Sequence, residues 1–304
     1  MGGTVTALLV DGDPIVYRCG FAAQRTVVHD IVEDEHGGIH PMRFEGRAAR
    51  RKYYQEHPEE QSCGGDAVEE EVIAEPVAFA LQTVKQSLGL LAVHGTPQIY
   101  LTGSGNYRQE LAKLAPYKGN RDPSSRPVHY QAIRDYLVEH HGAVVVDGRE
   151  ADDEVSIQAR QRHPHDYVIA SIDKDLDQIS GLHYDYMRHV KYDVSAEDAQ
   201  RWFWIQCLSG DPGDNVPGCH RVGPVRAAKL IDYFLEEGAT AETIWPAIVN
   251  VYFESQGRPD CPYAGLGADE VALETAQLVY IQRKPGELWM PPGTPFGRVA
   301  FDEY

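Results

Sequence analysis

Residues 143–175 read AVVVDGREADDEVSIQARQRHPHDYVIASIDKD. Ala143 to Asp147 is a β-branched run that stops at a glycine, and Tyr167 to Ile172 is a second apolar run of strand length. Between them, Ala151 to Arg162 has the length and spacing of a helix. A strand–helix–strand unit in about thirty residues places its two strands parallel in one sheet. The same alternation extends toward the N-terminus. Thr4 to Val10 is a strand ending at Asp11. Glu75 to Ala92 is a helix with apolar residues at Val77, Ala80, Leu81, Val84, Leu88 and Leu91. Pro97 to Thr102 is a strand and Tyr130 to His141 a helix. The expected class is α/β, a parallel sheet covered by helices. Beyond it, 196–208 and 224–236 read as two helices around a Gly- and Pro-rich loop, followed by helices at Thr240–Phe253 and Asp269–Gln282 and an irregular tail from Lys284. Residues 22–70 are polar and weakly periodic, which predicts loops and short helices. Residues 103–127 hold few large apolar side chains and predict a basic, mobile connection.

The chain has 304 residues, 42% of them hydrophobic, enough for an ordinary core, and carries a net charge of −18. No apolar run reaches the roughly 18–20 residues of a membrane span. The five cysteines form no Cys-x-x-Cys pair, and no basic, apolar leader opens the chain, so a reducing cytoplasm is expected. A surface this acidic repels polyanions unless the charge is localised, and here it is. Residues 30–75 carry 13 acids against 5 bases, and 147–214 carry 15 against 7. Residues 103–134 reverse the sign, with Arg108, Lys113, Lys118, Arg121, Arg126 and Arg134 against Glu110 and Asp122, and 220–229 holds Arg221, Arg226 and Lys229 with no acid.

The acids fall where strands end. Asp11 and Asp13 follow the first strand, Glu150, Asp152 and Asp153 the third, Asp173 and Asp175 the fourth. In a parallel sheet those ends share one edge, where ligands bind. Asp211 and Asp214 stand i, i+3 in the Gly–Pro loop. Each Asp alone is an ordinary helix cap or turn residue, and Asp177 is read that way. Together they pose a repulsion problem: two unit charges about 4 Å apart cost roughly 4 kcal/mol at an effective dielectric of 20. Oxygen ligands without His or Cys select Mg²⁺ or Mn²⁺ over zinc, and a pair of such ions suits phosphodiester hydrolysis.

Five strings resemble the successive motifs of the 5′-nuclease (flap endonuclease) superfamily: Leu8-Leu9-Val10-Asp11-Gly12, Tyr117-Lys118-Gly119-Asn120-Arg121, Glu150-Ala151-Asp152-Asp153, Asp173-Lys174-Asp175-Leu176 and Gly210-Asp211-Pro212-Gly213-Asp214-Asn215-Val216-Pro217-Gly218. Asn106-Tyr107-Arg108-Gln109-Glu110-Leu111, the 22–95 excursion and the extension to Trp289 more narrowly resemble the 5′–3′ exonucleases of short-tailed phages. The resemblance implies a PIN-like nuclease domain over 1–204, with a 22–75 acidic insertion and a 103–130 basic arch. A helix–three-turn–helix and C-terminal helical region would occupy 205–304. It implies two Mg²⁺ or Mn²⁺ ions on Asp11, Glu150, Asp152, Asp153, Asp173, Asp175, Asp211 and Asp214. Lys118 and Arg108 would clamp the scissile phosphate, with Tyr117 stacking on a base or sugar. Arg121, Gly223, Arg226 and Lys229 would contact DNA, and K⁺ would sit at the helix–three-turn–helix.

The implied activity is 5′–3′ exonuclease action on duplex DNA with a 5′ end or flap, giving 5′-phosphate products. RNA–DNA hybrids are a further substrate, and the chain is expected to act as a monomer in a host cytoplasm. Two alternatives stand beside it: a PIN-type ribonuclease, and a catalytically silent structure-specific DNA-binding protein. The second draws on a departure, because Thr102-Gly103-Ser104 stands where the family has an Asp, with Asp13 as a possible substitute. Arg221 also replaces a common glycine in the hairpin loop, where a positive φ would disfavour it and change the loop's shape.

Overall fold

The computed structural model describes residues 7–65, 68–122, 125–163 and 165–293. Thr4 to Thr6 of the expected first strand, Asp66 of the acidic run and the tail beyond 293 lie outside these residues. In chain order the elements are β1 (Ala7–Asp11), α1 (Asp13–Ala22), β2 (Gln24–Glu33), β3 (Ile39–Phe44), α2 (Arg47–Glu56), β4 (Gln61–Ser62), β5 (Glu69–Ala74), α3 (Val77–Leu91), β6 (Thr96–Thr102), α4 (Tyr107–Leu111) and α5 (Tyr130–His141). They continue with β7 (Val144–Val146), α6 (Ala151–Arg160), β8 (Tyr167–Ala170), β9 (Gly181–Asp185), β10 (Val190–Val194), α7 (Ala196–Ser209), β11 (Gly210–Asp211), β12 (Val216–Pro217), α8 (Pro224–Glu236), α9 (Ala241–Gln256) and α10 (Ala268–Val279).

Two compact units result, one of residues 1–14, 91–125 and 142–304, the other of 15–90 and 126–141. In the first unit a six-stranded sheet runs in the order β10-β9-β8-β1-β6-β7. Every pairing is parallel except β9 with the edge strand β10. Leu8, Leu9, Val10 and Ile169 are sealed from solvent, each worth roughly 1.5–3 kcal/mol of burial. Because β1, β6, β7 and β8 run the same way, the ends at Asp11, Thr102, Val146 and Ala170 share one edge.

A second core in this unit gathers α7 to α10 around Trp289, whose ring meets Phe203 at 5.3 Å, Trp204 at 5.9 Å and Trp245 at 4.7 Å. That contact explains why the chain past α10 returns to the fold.

In the second unit, the loops and short helices expected over 22–70 are corrected. β2 pairs antiparallel with β3, β4 and β5, and α2 lies over this sheet with Tyr53 and Tyr54 packed near Val28, Val32 and Phe44. The strand was hidden because its inward period is Val28, Asp30, Val32, and the central member is a charge. α1, β9 and β10 were likewise not anticipated.

Candidate metal centre

Seven carboxylates are set by the first turns after strands or by tight loops. Asp11 closes β1, and its Oδ1 accepts from the backbone N of Asp13 at 3.2 Å. The Asp13 carboxylate accepts from Thr102 N at 3.2 and 3.3 Å, so it ties β6 to β1. Glu150 caps α6, its N–H donating to Asp153 Oδ2 at 3.1 Å, while Asp152 Oδ1 accepts from Asp153 N at 2.6 Å. Asp173 caps the following turn by accepting from Asp175 N at 3.0 Å, and Asp175 Oδ1 takes a hydrogen bond from Gln206 Nε2 at 2.8 Å.

Asp211 and Asp214 ride on the loop between β11 and β12. That loop closes only because two glycines meet: a Cβ on Gly210 would lie 2.3 Å from Val216 O, and one on Gly218 2.2 Å from Ser209 C. Gly210 also has φ +62°.

The carboxylates divide by what neutralises them. Asp153, fully buried, is held by Arg108 through two hydrogen bonds of 2.7 and 2.8 Å and also accepts from Gln282 N at 2.9 Å. Arg108, 2% exposed, gives its remaining donors to the carbonyls of Leu278 (3.0 Å) and Tyr280 (2.7 Å). The Arg108 guanidinium, expected at a phosphate, is turned inward onto Asp153 and these carbonyls, and Asp153, expected among the metal ligands, meets it there.

Lys118 Nζ pairs with Glu150 and stands 3.5 Å from Asp214, and Arg121 pairs with Asp214 as well. Burial would raise the Glu150 carboxyl, but Lys118 and Arg108 outweigh it and hold it below its ordinary range. The Tyr117 hydroxyl lies 2.7 Å from both Glu150 Oε2 and Asp214 Oδ2. Tyr117, expected to stack on a nucleotide, is 7% exposed and packs within the Trp289 core.

Asp11, Asp152, Asp173 and Asp175 form no salt bridge among the described residues. Burial, then Asp13 and Asp173, push Asp11 well above the usual carboxylate range. Burial, then Asp153 and Glu150, do the same to Asp152. Asp173, at the open rim, is raised by loss of hydration and by Asp214 and Asp211. Asp175 is pushed up to about 8 by burial and then by Asp173 and Asp211. Glu150, Asp152, Asp175, Asp211 and Asp214 line one cavity of about 20 Å³, room for a single water-sized occupant. No three of these carboxylates bring their oxygens within 4.8 Å of one another among the described residues. They ring the cavity instead of meeting at a point. An all-oxygen set in which Asp152 and Asp175 form no ion pair among the described residues and are raised in pKa fits a hard divalent ion, which would remove their repulsion at its source.

Around this centre the basic segments are placed as follows. The segment 116–121 is not a free connection. Lys118 N donates to Asp214 O at 2.8 Å, Asn120 Nδ2 to Pro212 O at 2.8 Å, and Asn215 Nδ2 to Pro116 O at 2.8 Å, so the expected mobility is corrected there. At Gly103 a Cβ would fall 2.4 Å from Asp147 Oδ1, which is held by the backbone and hydroxyl of Ser104 at 2.7 and 2.8 Å. Asp147 thus occupies the space a longer residue at 103 would need.

In the hairpin, Arg221 adopts φ +61° with its guanidinium on Asp260, so the turn keeps a left-handed residue despite the missing glycine. Gly223 caps α8 with open space around it, and Arg226 and Lys229 are exposed one turn apart. Asp177 accepts from Tyr192 at 2.8 Å, a structural contact. Gln206, a lone polar residue in the apolar run FWIQCL of α7, was the member the sequence reading passed over; it fixes both Asp175 and Gln178.

An acid-lined edge of a parallel sheet is joined here to a Gly–Asp loop and a helical hairpin. The chain is similar to flap endonucleases and to a DNA polymerase I. It is 26% identical over 159 residues to the flap endonuclease Xni of Shewanella baltica, covering 48% of this chain and 61% of that protein. It is 33% identical over 103 residues to DNA polymerase I of Rhizobium leguminosarum, covering 30% of this chain and 10% of that protein. The chain thus spans about three fifths of the length of the Xni relative. No family model matches. Among solved structures, one described as divalent metal ions (zinc) bound to T5 5′-exonuclease aligns with TM-score 0.45 and 19% identity, over 67% of this chain and 81% of that one.

Proposed function

We propose that this chain is a divalent-metal-dependent 5′–3′ nuclease acting on DNA ends or flaps, with Mg²⁺ or Mn²⁺ as its cofactor. The observation that carries the reading is the unneutralised carboxylate set, Asp11, Asp152, Asp173 and Asp175, raised in pKa at the carboxyl edge of a parallel sheet. Similarity to flap endonucleases supports DNA as the substrate. With Glu150, Asp211 and Asp214 these residues would hold the ions. A bound divalent cation supplies Lewis acidity toward water and phosphate oxygen. Lys118, a quarter exposed, pairs with Glu150 and still reaches solvent, and it would meet the phosphate. Asp153 and Arg108 position the first turn of α6 from inside. The backbone at Gly223 and the side chains of Arg226 and Lys229 would take duplex phosphates without reading sequence.

The test is cleavage of a 5′-labelled duplex in Mg²⁺ or Mn²⁺ by the wild type and by Asp152→Asn combined with Asp175→Asn. The double variant should lose at least about 10³-fold in rate, some 4 kcal/mol, while retaining duplex binding. Wild-type binding without cleavage at any metal concentration would overturn the enzyme reading in favour of a silent binding protein.

A further inference from the structure

The second unit holds a cavity of about 590 Å³ that the proposed nuclease chemistry does not use. This volume lies in the range of small-molecule sites. It is lined by Arg47, Arg50, Arg51 and Tyr54 from α2, and by Val28 and Glu70 from the sheet, with Val68. Three guanidinium groups around one cavity run against the composition of residues 30–75, which carry a net of −8.

Two of the lining side chains are held from beneath. Asp30, whose side chain is wholly buried in β2, accepts from Arg50 Nε at 2.6 Å, from the Tyr54 hydroxyl at 2.8 Å, from Ser62 Oγ at 2.7 Å and from Ile31 N at 2.8 Å. A saturated buried carboxylate of this kind fixes Arg50 and Tyr54 in one arrangement, with the Arg50 guanidinium 5.5 Å from the Tyr54 ring centre. Arg50 uses only Nε in that contact. Its terminal nitrogens, and the whole exposed guanidinium of Arg51, have no protein acceptor among the described residues. Arg47 is engaged by Glu70 through two bonds of 2.6 and 2.7 Å.

The planar guanidinium fork, held in place at Arg50, matches the paired oxygens of a phosphate. Val28, Val68 and the Tyr54 ring beside them offer an apolar face for a planar group. We propose that this cavity binds a nucleoside 5′-phosphate unit, its phosphate on Arg50 and Arg51 and its base against Val28, Val68 and Tyr54. The unit is either a free mononucleotide or the phosphorylated end of a strand.

Calorimetry on the full chain in excess EDTA tests this with four probes: dAMP, deoxyadenosine, inorganic phosphate and a 5′-phosphorylated tetranucleotide. The measurement needs neither cleavage nor divalent ions, so its failure is separable from failure of the nuclease reading. dAMP should bind saturably, with deoxyadenosine and phosphate each at least about tenfold weaker. Arg51→Glu alters a residue without protein contacts, so it should leave the melting curve in place and weaken dAMP by about tenfold or more. A tetranucleotide binding as tightly as dAMP assigns the site to strand ends, and its exclusion assigns it to free nucleotides. Absence of saturable dAMP binding, equal affinity for phosphate and dAMP, or undiminished binding by Arg51→Glu would each overturn the proposal.

Discussion

Two flanks of the same carboxylate centre are built from the same residue types and solve the problem of charge in opposite ways. On one flank Glu150, Asp153 and Asp214 meet the cations Lys118, Arg108 and Arg121 of the protein itself. On the other, Asp11, Asp152, Asp173 and Asp175 form no ion pair among the described residues and meet backbone N–H groups, Gln206 and other carboxylates. The first flank is complete as it stands. The second is arranged at a cost that only ions from solution relieve, and a fold keeps such a cost where function requires it. The difference is sharpest between Asp153, which is held from inside by Arg108, and Asp152, which is not, although both occur in the same short motif, Glu150-Ala151-Asp152-Asp153.

The sharpest way to break this division is to remove the cation from the complete flank. Arg108→Met leaves the Asp153 carboxylate buried with only backbone donors, and losing one partner of a buried pair costs about 3–5 kcal/mol. For a chain of this size that lowers the melting temperature by on the order of 10 °C. Arg108→Met combined with Asp153→Leu should recover most of the loss, because no unpaired charge remains. A loss below about 1 kcal/mol for the single variant would mean that the ion pair is not structural.

The open flank makes a prediction of opposite sign. A carboxyl whose folded pKa is raised contributes stability that is present below its unfolded value, near 3.9, and is lost as pH climbs through the folded value. For Asp175 that window runs up to about 8, and Asp11, Asp152 and Asp173 shift in the same direction. Glu150 is lowered, so its contribution is lost only in acid. In EDTA the melting temperature should therefore fall between about pH 5 and about pH 8, by an amount equivalent to a few kcal/mol. Mg²⁺ should restore it more at the upper end than at the lower, where protons already do the neutralising. A flat profile in EDTA would show that the open flank carries no such strain.

The sequence exposed the open flank more readily than the complete one for a physical reason. Strand ends can be read from apolar runs, so the convergence of Asp11, Asp152 and Asp173 on one edge followed from β1, β7 and β8 alone. Side-chain pairing across long separations leaves no periodic trace. Arg108 reads as a basic residue in a polar segment, and nothing local says that it is buried against carbonyls 170 and 172 positions away. The β2–β5 sheet was missed for a related cause: Asp30 breaks the apolar alternation, and its compensation by Arg50, Tyr54 and Ser62 exists only in three dimensions. Gln206 shows the remaining signal, a single polar residue in an apolar helix, which marks a buried hydrogen bond without naming its partner.

Lys118 stands on the boundary between the flanks, and changing it moves the boundary. It pairs with Glu150 and approaches Asp214, while Arg121 holds Asp214 independently. Lys118→Gln should therefore leave Glu150 with Arg108 alone, 3.6 Å away, while Arg121 still holds Asp214. The expected result is a cleavage rate lower by about 10- to 100-fold, or roughly 1.4–2.7 kcal/mol. The stabilisation gained from Mg²⁺ should be larger than in the wild type, because Glu150 then has one protein cation fewer. Duplex affinity in EDTA should change by less than about twofold, since a single partly buried lysine is a small share of a phosphate-binding surface. If affinity instead falls in step with the rate, Lys118 belongs to the substrate contacts and the complete flank ends at Arg108.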